Sequence, residues 1–228
     1  MIFNIPVGGN AKGLVTVYGA ASETVTLTSA KGKAFTTETD ATGKGGQLEI
    51  PAGAYTVSGS RSEYSKSVTV DKTTTEVYAM PNGTVVYWYG YKPYAPEAIS
   101  WVHSGESNND KKPTITDNGT YLTVTQPGVS GTYCGTMKFD NVATNRGVPT
   151  LISSGRKSSD SLTRCYFTIA NDITGDQFPY IEAYWVDYQE TEVKLGAVDA
   201  GTYDIAVEVR NNVWTPGEVD VYAIYIEE

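Results

Sequence analysis

Few residues in this chain have the types and spacing that catalysis or metal binding requires. The single histidine, His103, lies beside a polar, glycine-rich segment, and a Ser/His/Asp or Cys/His site built on it is not expected. The spacing of Cys134 and Cys165 fits no short metal-ligand pattern. Two small buried thiols on neighbouring strands account for these cysteines better than a disulfide does. The sequence therefore predicts that the protein is not an enzyme.

Carboxylates are the remaining candidates for chemistry or for a metal. Glycoside hydrolysis needs two of them at a defined spatial separation, and the candidates are Glu182, Asp187, Glu190 and Glu192. A solvated strand face explains these four residues more readily. A structural calcium ion would need several oxygen ligands, and the candidates are Asp172, Asp176 and Asp199. No EF-hand spacing links them, so the sequence predicts no cofactor and leaves a structural calcium ion open.

The composition predicts an all-β protein that must position any such residues on strands and turns. The 228 residues include 23 glycines and 17 tyrosines, and residues that favour strands outweigh those that favour helices. A formal net charge of −9 repels phosphate backbones, so nucleic acid is not an expected partner. No signal peptide and no apolar segment of roughly 18–20 residues is visible. We therefore expect synthesis in a cytoplasm without export, and no membrane partner.

Turn signals and alternation divide the chain into three parts. Residues 1–13 are interrupted by Pro and Gly and are expected to form an arm. Residues 14–80 contain six or seven short alternating segments, which predicts a small β-sandwich. A Pro-Asn-Gly sequence at 81–83 ends this unit, and residues 81–228 are expected to form a larger sandwich.

The most distinctive sequence lies within the small sandwich. Residues 39–43 read T-D-A-T-G, and residues 51–57 read P-A-G-A-Y-T-V. This arrangement resembles the carboxypeptidase-regulatory-like and Cna-B-like modules, which are Ig-like or transthyretin-like sandwiches with the tyrosine on the core side. The resemblance covers residues 14–80, and it implies a spacer or presentation module without chemistry.

The larger sandwich is expected to be a jelly roll, because strand signals recur at suitable spacing to the end of the chain. The last two predicted strands, 202–209 and 219–226, alternate well enough to form a hairpin. Polar connections are expected at 104–112 and 155–161. This half of the chain is similar to carbohydrate-binding jelly rolls, which implies a glycan as a partner.

Four residues in predicted loops are the candidate ligand-binding positions, namely Trp101, Asn211, Asn212 and Trp214. Sugar-binding sandwiches use exposed aromatic faces for stacking, and neighbouring amides fix the hydroxyl groups. In the competing interpretation each tryptophan caps the end of the sandwich core. Trp88 and Trp185 fall on predicted strands and are assigned to the core or to an interface.

The order of pieces in the first ninety residues is similar to that of small virion proteins of bacteriophages that infect Gram-positive bacteria. The pieces are the T-D-x-x-G module, an S-V-T-V-x-x-x-x-T-x-V strand pair and an aromatic Y-W-Y-G segment. The resemblance implies a homo-oligomeric accessory protein located in the virion, with other virion proteins as partners and a displayed sandwich that binds host glycan. Three alternatives stay open: a decoration or cementing protein without a ligand, a free-standing carbohydrate-binding module, and a glycosidase or lyase.

Overall fold

The computed structural model describes residues 12–102, 112–126, 133–156, 164–171, 180–183, 190–210 and 217–228. These residues form strands and turns and include no helix, so none of them belongs to a helix with the length and hydropathy of a membrane span. The chain divides into two compact units, Met1–Met80 and Pro81–Glu228. The predicted all-β class is confirmed.

From residue 12 onward, unit 1 is a small sandwich of seven strands in two sheets. Its strands are β1 (Lys12–Tyr18), β2 (Thr24–Ser29), β3 (Ala34–Glu38), β4 (Lys44–Pro51), β5 (Gly53–Gly59), β6 (Ser65–Val70) and β7 (Glu76–Tyr78). The strand orders are β4-β1-β7 and β3-β2-β5-β6. Apolar residues alternate with polar ones along these strands, and the apolar set meets between the sheets. Tyr55, expected on the core side, is buried, and its hydroxyl donates to the carbonyl of Pro51 at 2.7 Å.

A buried carboxylate holds two turns together at one end of unit 1. Glu23 is 2% exposed, and its Oε1 accepts a hydrogen bond from the backbone N–H of Ala20. Its Oε2 accepts from the backbone N–H groups of Arg61 at 3.1 Å and Ser62 at 3.3 Å. The β1–β2 and β5–β6 connections are thus joined through one side chain. Gly59 leaves the room for it, since a Cβ there would lie 2.4 Å from Glu23 Oε2.

The T-D-x-x-G turn adds the third connection to this arrangement. Thr39 Oγ1 accepts the backbone N–H of Glu23 at 2.9 Å. The Asp40 carboxylate accepts the N–H groups of Thr42 at 2.7 Å and Lys44 at 3.2 Å, and bonding to Thr42 is the main reason why the pKa of Asp40 lies below its usual value. Gly43 supplies the positive φ, 79°, that ends the turn. The motif therefore has a structural role, in linking β3 to β4.

We predict that Glu23→Ala destabilises unit 1 by about 3 kcal/mol, because one buried and two partly buried backbone N–H donors lose their acceptor. Urea unfolding of the full chain measures the loss. Glu49→Ala is the control, since Glu49 forms an exposed ion pair with Lys12 at 3.2 Å, and that change should cost less than about 1 kcal/mol. Equal losses in the two variants would contradict the role assigned to Glu23.

The described residues of unit 2 form eleven strands in two sheets. They are β8 (Gly83–Trp88), β9 (Glu97–Val102), β10 (Thr114–Asp117), β11 (Leu122–Gln126), β12 (Tyr133–Thr144), β13 (Val148–Arg156), β14 (Arg164–Ala170), β15 (Tyr180–Ala183), β16 (Thr191–Lys194), β17 (Gly201–Arg210) and β18 (Gly217–Glu227). The six-stranded sheet has the order β10-β11-β18-β13-β16, with β8 also paired to β18. The five-stranded sheet has the order β15-β14-β17-β12-β9.

The pairing of the last eight strands confirms the predicted jelly roll. Strand β11 pairs with β18, β12 with β17, β13 with β16 and β14 with β15, all antiparallel. These nested pairs describe one long hairpin that is folded over so that its strands are shared between two facing sheets. The buried apolar residues of both sheets meet in a single core.

The predicted terminal hairpin is wrong. Strand β17 pairs with β12 and β14 in the five-stranded sheet, whereas β18 pairs with β11, β13 and β8 in the six-stranded sheet. Alternation establishes that each segment is a strand, but it does not determine the sheet to which the strand belongs. Gly155, expected in a connection, instead belongs to β13.

The two cysteines do not lie on neighbouring strands. Cys134 on β12 is opposite Arg210 of β17, and Cys165 on β14 is opposite Val209 of the same strand. With β17 between them, their backbones are about 10 Å apart, which is beyond the reach of a disulfide. Cys165 is a buried free thiol, and burial raises its pKa.

Candidate functional site

The structure places Trp101 on a strand, not in the predicted loop. It belongs to β9 and lies opposite Cys134 of β12, which in turn lies opposite Arg210 at the end of β17. Asn211, Asn212 and Trp214 lie outside the described residues. Two strand ends flank them in the sequence. Arg210 of β17 lies in the same row as Trp101, because both residues pair with Cys134. Gly217 of β18 pairs with Gln126 at the end of β11.

Only some of the other sequence candidates lie in the described part of the chain. His103, Asp172, Asp176, Asp187 and Trp185 lie outside the described residues, and Glu182 lies on β15. Glu192 forms an ion pair with Lys194 at 3.2 Å, and Asp199 lies 3.9 Å from Arg146. Within the described part of the chain no three His, Cys, Asp or Glu side chains are grouped as metal ligands.

Three tyrosines converge where strand β18 changes partners. On one edge β18 pairs with β11 up to Val221 and with β8 from Ala223 onward. On its other edge, the pairing with β13 also skips Tyr222. Tyr121 comes directly before β11, and Tyr89 directly follows β8, so both residues adjoin Tyr222. We call Tyr89, Tyr121 and Tyr222 the tyrosine platform.

The rings of the tyrosine platform contact one another in sequence across the outer side of the six-stranded sheet. The ring centroids of Tyr89 and Tyr222 are 6.1 Å apart with an angle of 39° between the planes, and those of Tyr121 and Tyr222 are 5.5 Å apart at 40°. Each of the three side chains is partly exposed. Trp88 is buried and packs edge-on against Tyr89, with the two ring centroids 5.2 Å apart. The tyrosine platform is thus an accessible aromatic surface on a packed support.

Tyr89 holds its place in the tyrosine platform through an unusual backbone conformation. Its φ is 40°, and that of Gly90 is 96°. Trp88 and Tyr91 exchange both backbone hydrogen bonds, at 3.0 and 2.8 Å, which makes Tyr89-Gly90 a two-residue hairpin loop. Such loops need positive φ at both central residues and favour Asn-Gly. A tyrosine at the first position costs about 1–2 kcal/mol.

Hydrogen bonds fix the tyrosine platform from several strands. The backbone N–H of Tyr89 donates to the carbonyl of Tyr222 at 2.8 Å, and the hydroxyl of Tyr89 donates to Glu190 Oε2 at 3.3 Å. The hydroxyl groups of Tyr222 and Ser154 are 3.2 Å apart. Burial, followed by the charge of Glu190, raises the pKa of Tyr89, and burial also raises that of Tyr222. Both phenols therefore stay neutral over the physiological pH range.

A polar chain supports the tyrosine platform on the side of Tyr121. The Asn118 side chain donates to Thr123 Oγ1 at 2.8 Å, and Thr123 Oγ1 donates to Asp220 Oδ1 at 2.6 Å. The backbone N–H of Asn118 also donates to the carbonyl of Tyr121 at 3.0 Å. The turn that carries Tyr121 is thereby tied to β18, two residues before Tyr222.

Sequence reasoning missed the tyrosine platform because it placed Trp88 on a predicted strand without identifying where that strand ends. The strand ends at Trp88, and the signal that was available is the Tyr-Gly pair, which occupies the two-residue loop where Asn-Gly is usual. The meeting of residues 89, 121 and 222 depends on strand pairing, which the local pattern does not encode.

Comparisons with known proteins give fold-level likenesses only. No family model and no curated protein sequence matches the chain. Among solved structures, a carbohydrate-binding module of the β-sandwich superfamily aligns with 97% of this chain and all of its own, at 13% identity and a TM-score of 0.41. The module TmCBM61, solved with β-1,4-galactotriose, aligns with 59% of this chain and 87% of its own, at 10% identity and a TM-score of 0.30.

A third likeness is to a larger protein. The secreted serine protease VesC from Vibrio cholerae aligns with 96% of this chain but 45% of its own length, at 11% identity and a TM-score of 0.39. At these identities and TM-scores no inference about function follows. The jelly-roll assignment rests on the strand order of unit 2 itself.

We predict that Tyr89→Asn leaves the free energy of unfolding within about 1 kcal/mol of the wild-type value, because relief of the backbone strain offsets the lost ring contacts. Tyr89→Val should be less stable than Tyr89→Asn by at least about 1 kcal/mol, since a β-branched residue tolerates positive φ poorly. Urea unfolding compares the two variants. A Val variant as stable as the Asn variant would show that the turn is not strained at this position.

Proposed function

We propose that this protein is a non-catalytic glycan-binding protein, and that unit 2 holds the ligand on the tyrosine platform. The observation that carries the proposal is the convergence of three partly exposed tyrosines, one of them kept in a strained turn. Backbone strain of this kind persists where surrounding structure enforces it, and it concentrates at functional positions.

The chemistry of the tyrosine platform suits a sugar. The C–H face of a pyranose packs against an aromatic ring, and polar groups at the rim fix the hydroxyl groups. The tyrosine platform offers ring faces together with the exposed carboxylate of Glu190. A single sugar contact of this sort is weak, so useful retention would come from several copies binding a repetitive glycan.

The positions of the carboxylates support binding rather than hydrolysis. Glu190 is exposed at the rim, where it accepts the hydrogen bond from Tyr89. Asp220 is 6% exposed and accepts a hydrogen bond from Thr123. A glycosidase needs two carboxylates that flank the scissile bond, and a buried, hydrogen-bonded Asp220 is poorly placed to be one of them.

The setting of this activity follows from the sequence resemblance. Unit 1 acts as a spacer, and the protein is a homo-oligomeric accessory component of a bacteriophage virion that presents unit 2 to host glycan. The buried Glu23 and the locked T-D-x-x-G turn support the spacer role, because they make unit 1 a rigid module. A free-standing carbohydrate-binding module is the alternative, and the same tyrosine platform favours it equally.

We expect the labelled full-length protein to bind glycans on an array, and Tyr222→Ala to weaken that binding about tenfold or more, because Tyr222 contacts both other rings. Titration calorimetry with the best array ligand measures the loss. Tyr78→Ala is the matched control, since it removes one ring of the Tyr18–Tyr78 stack in unit 1, where the centroids are 4.9 Å apart. That variant should bind as the wild type does.

Two results would contradict this assignment. Absence of binding to every array glycan would remove the proposed function. Binding that is lost in Trp214→Ala or Trp101→Ala and kept in Tyr222→Ala would move the site to the residues that the sequence analysis first chose.

The virion setting predicts a stable homo-oligomer, because a repeated particle component assembles by symmetry and gains avidity from copy number. Light scattering on the purified chain should give a multiple of the single-chain mass. A strictly monomeric chain at all concentrations would count against the virion component and leave the free-standing module.

A further inference from the structure

We infer that the tyrosine platform selects glycans that carry an ammonium group, such as amino sugars, over neutral and acidic ones. This inference rests on the proposed function and names the ligand class of the same site.

The first observation is the sign of the charges around the tyrosine platform. Glu190 lies within hydrogen-bond distance of Tyr89, and its side chain is exposed. Asp220 lies two residues before Tyr222 in the same strand. Glu190 therefore gives this surface an exposed negative charge, Asp220 is a buried carboxylate beneath the same strand register, and the protein as a whole carries a formal charge of −9. A field of this sign attracts cations and repels anionic ligands.

The second observation concerns the lysines of the same unit. Lys92 pairs with Asp117. Lys194 lies 3.2 Å from Glu192 and 3.7 Å from Glu227. These ammonium groups are already balanced by carboxylates, so they do not offset Glu190. An acidic sugar on the tyrosine platform would meet the negative charge of Glu190, and both Lys92 and Lys194 are held by other carboxylates.

The third observation is the arrangement of the rings. Tyr222 is tilted by 39° from Tyr89 and by 40° from Tyr121, so the three faces do not form one flat shelf. Electron-rich ring faces that meet at an angle suit a compact cation, because each face that the cation contacts adds an electrostatic attraction. Partial burial of the rings removes competing water and strengthens that attraction. A sugar ring stacked on one tyrosine can thus place an ammonium substituent against another tyrosine and Glu190.

The test uses oligosaccharides of equal length with different charge. The probes are a glucosamine oligomer, an N-acetylglucosamine oligomer and a uronic acid oligomer, measured by titration calorimetry at a pH below the pKa of the glucosamine amine. We expect the glucosamine oligomer to bind at least about tenfold more tightly than the N-acetylated one, and the uronic acid oligomer to bind most weakly. Added salt should reduce the preference, since the charged rim is exposed.

Charge variants at one position separate this inference from the proposed function. Glu190→Gln should abolish most of the preference for the glucosamine oligomer, and Glu190→Lys should reverse it in favour of the uronic acid oligomer. Glu192→Gln is the control, because Glu192 is paired with Lys194. Equal affinity for the charged and neutral oligomers, or a preference that survives Glu190→Gln, overturns the inference while glycan binding stands. Loss of all glycan binding in the wild type would overturn both.

Discussion

The pairing of β18 along both of its edges is the constraint on which unit 2 depends. One edge is occupied by β13 over nearly the whole strand, and the other is shared end to end by β11 and β8. Two different strands on one edge leave a junction between them, and Tyr222 lies at that junction. The turn after β8 and the turn before β11 must therefore meet above it. A jelly roll without the additional β8 would bring only one of these turns to Tyr222.

The sequence predicted the kind of element far better than the contacts between elements. Alternating segments gave the strands of unit 1, and the spacing of signals in the second half gave a jelly roll that the strand pairing confirms. Each of these predictions uses the period-two pattern that any half-buried strand must have. Strand β18 is central and has buried residues on both faces. Its hydrophobic pattern could therefore not show that β17 and β18 belong to different sheets. The predicted hairpin failed for this reason.

The candidate site shows the same limit more sharply. Tryptophans in presumed loops were the natural choice, because loops carry most binding residues. Trp101 instead lies on β9, while the rings that do come together belong to turns and to a residue that both strand registers skip. A bulge of this sort re-aims a side chain, and the core-facing positions of β18 change from odd to even numbers across it. No count of aromatic residues along the chain would have selected Tyr222 from its seventeen tyrosines.

Both units use buried polar groups in place of additional apolar contacts where connections meet. In unit 1, Glu23 joins loops that have few apolar side chains to bury, and its carboxylate satisfies N–H groups that a turn cannot pair internally. In unit 2, the chain from Asn118 through Thr123 to Asp220 does the same beside Tyr121. Directional bonds fix position more narrowly than apolar packing does, since a hydrogen bond weakens steeply with misalignment. The positive φ of Tyr89 has a separate cause: the two-residue loop after β8 requires it, and the strand pairing places that loop beside Tyr222.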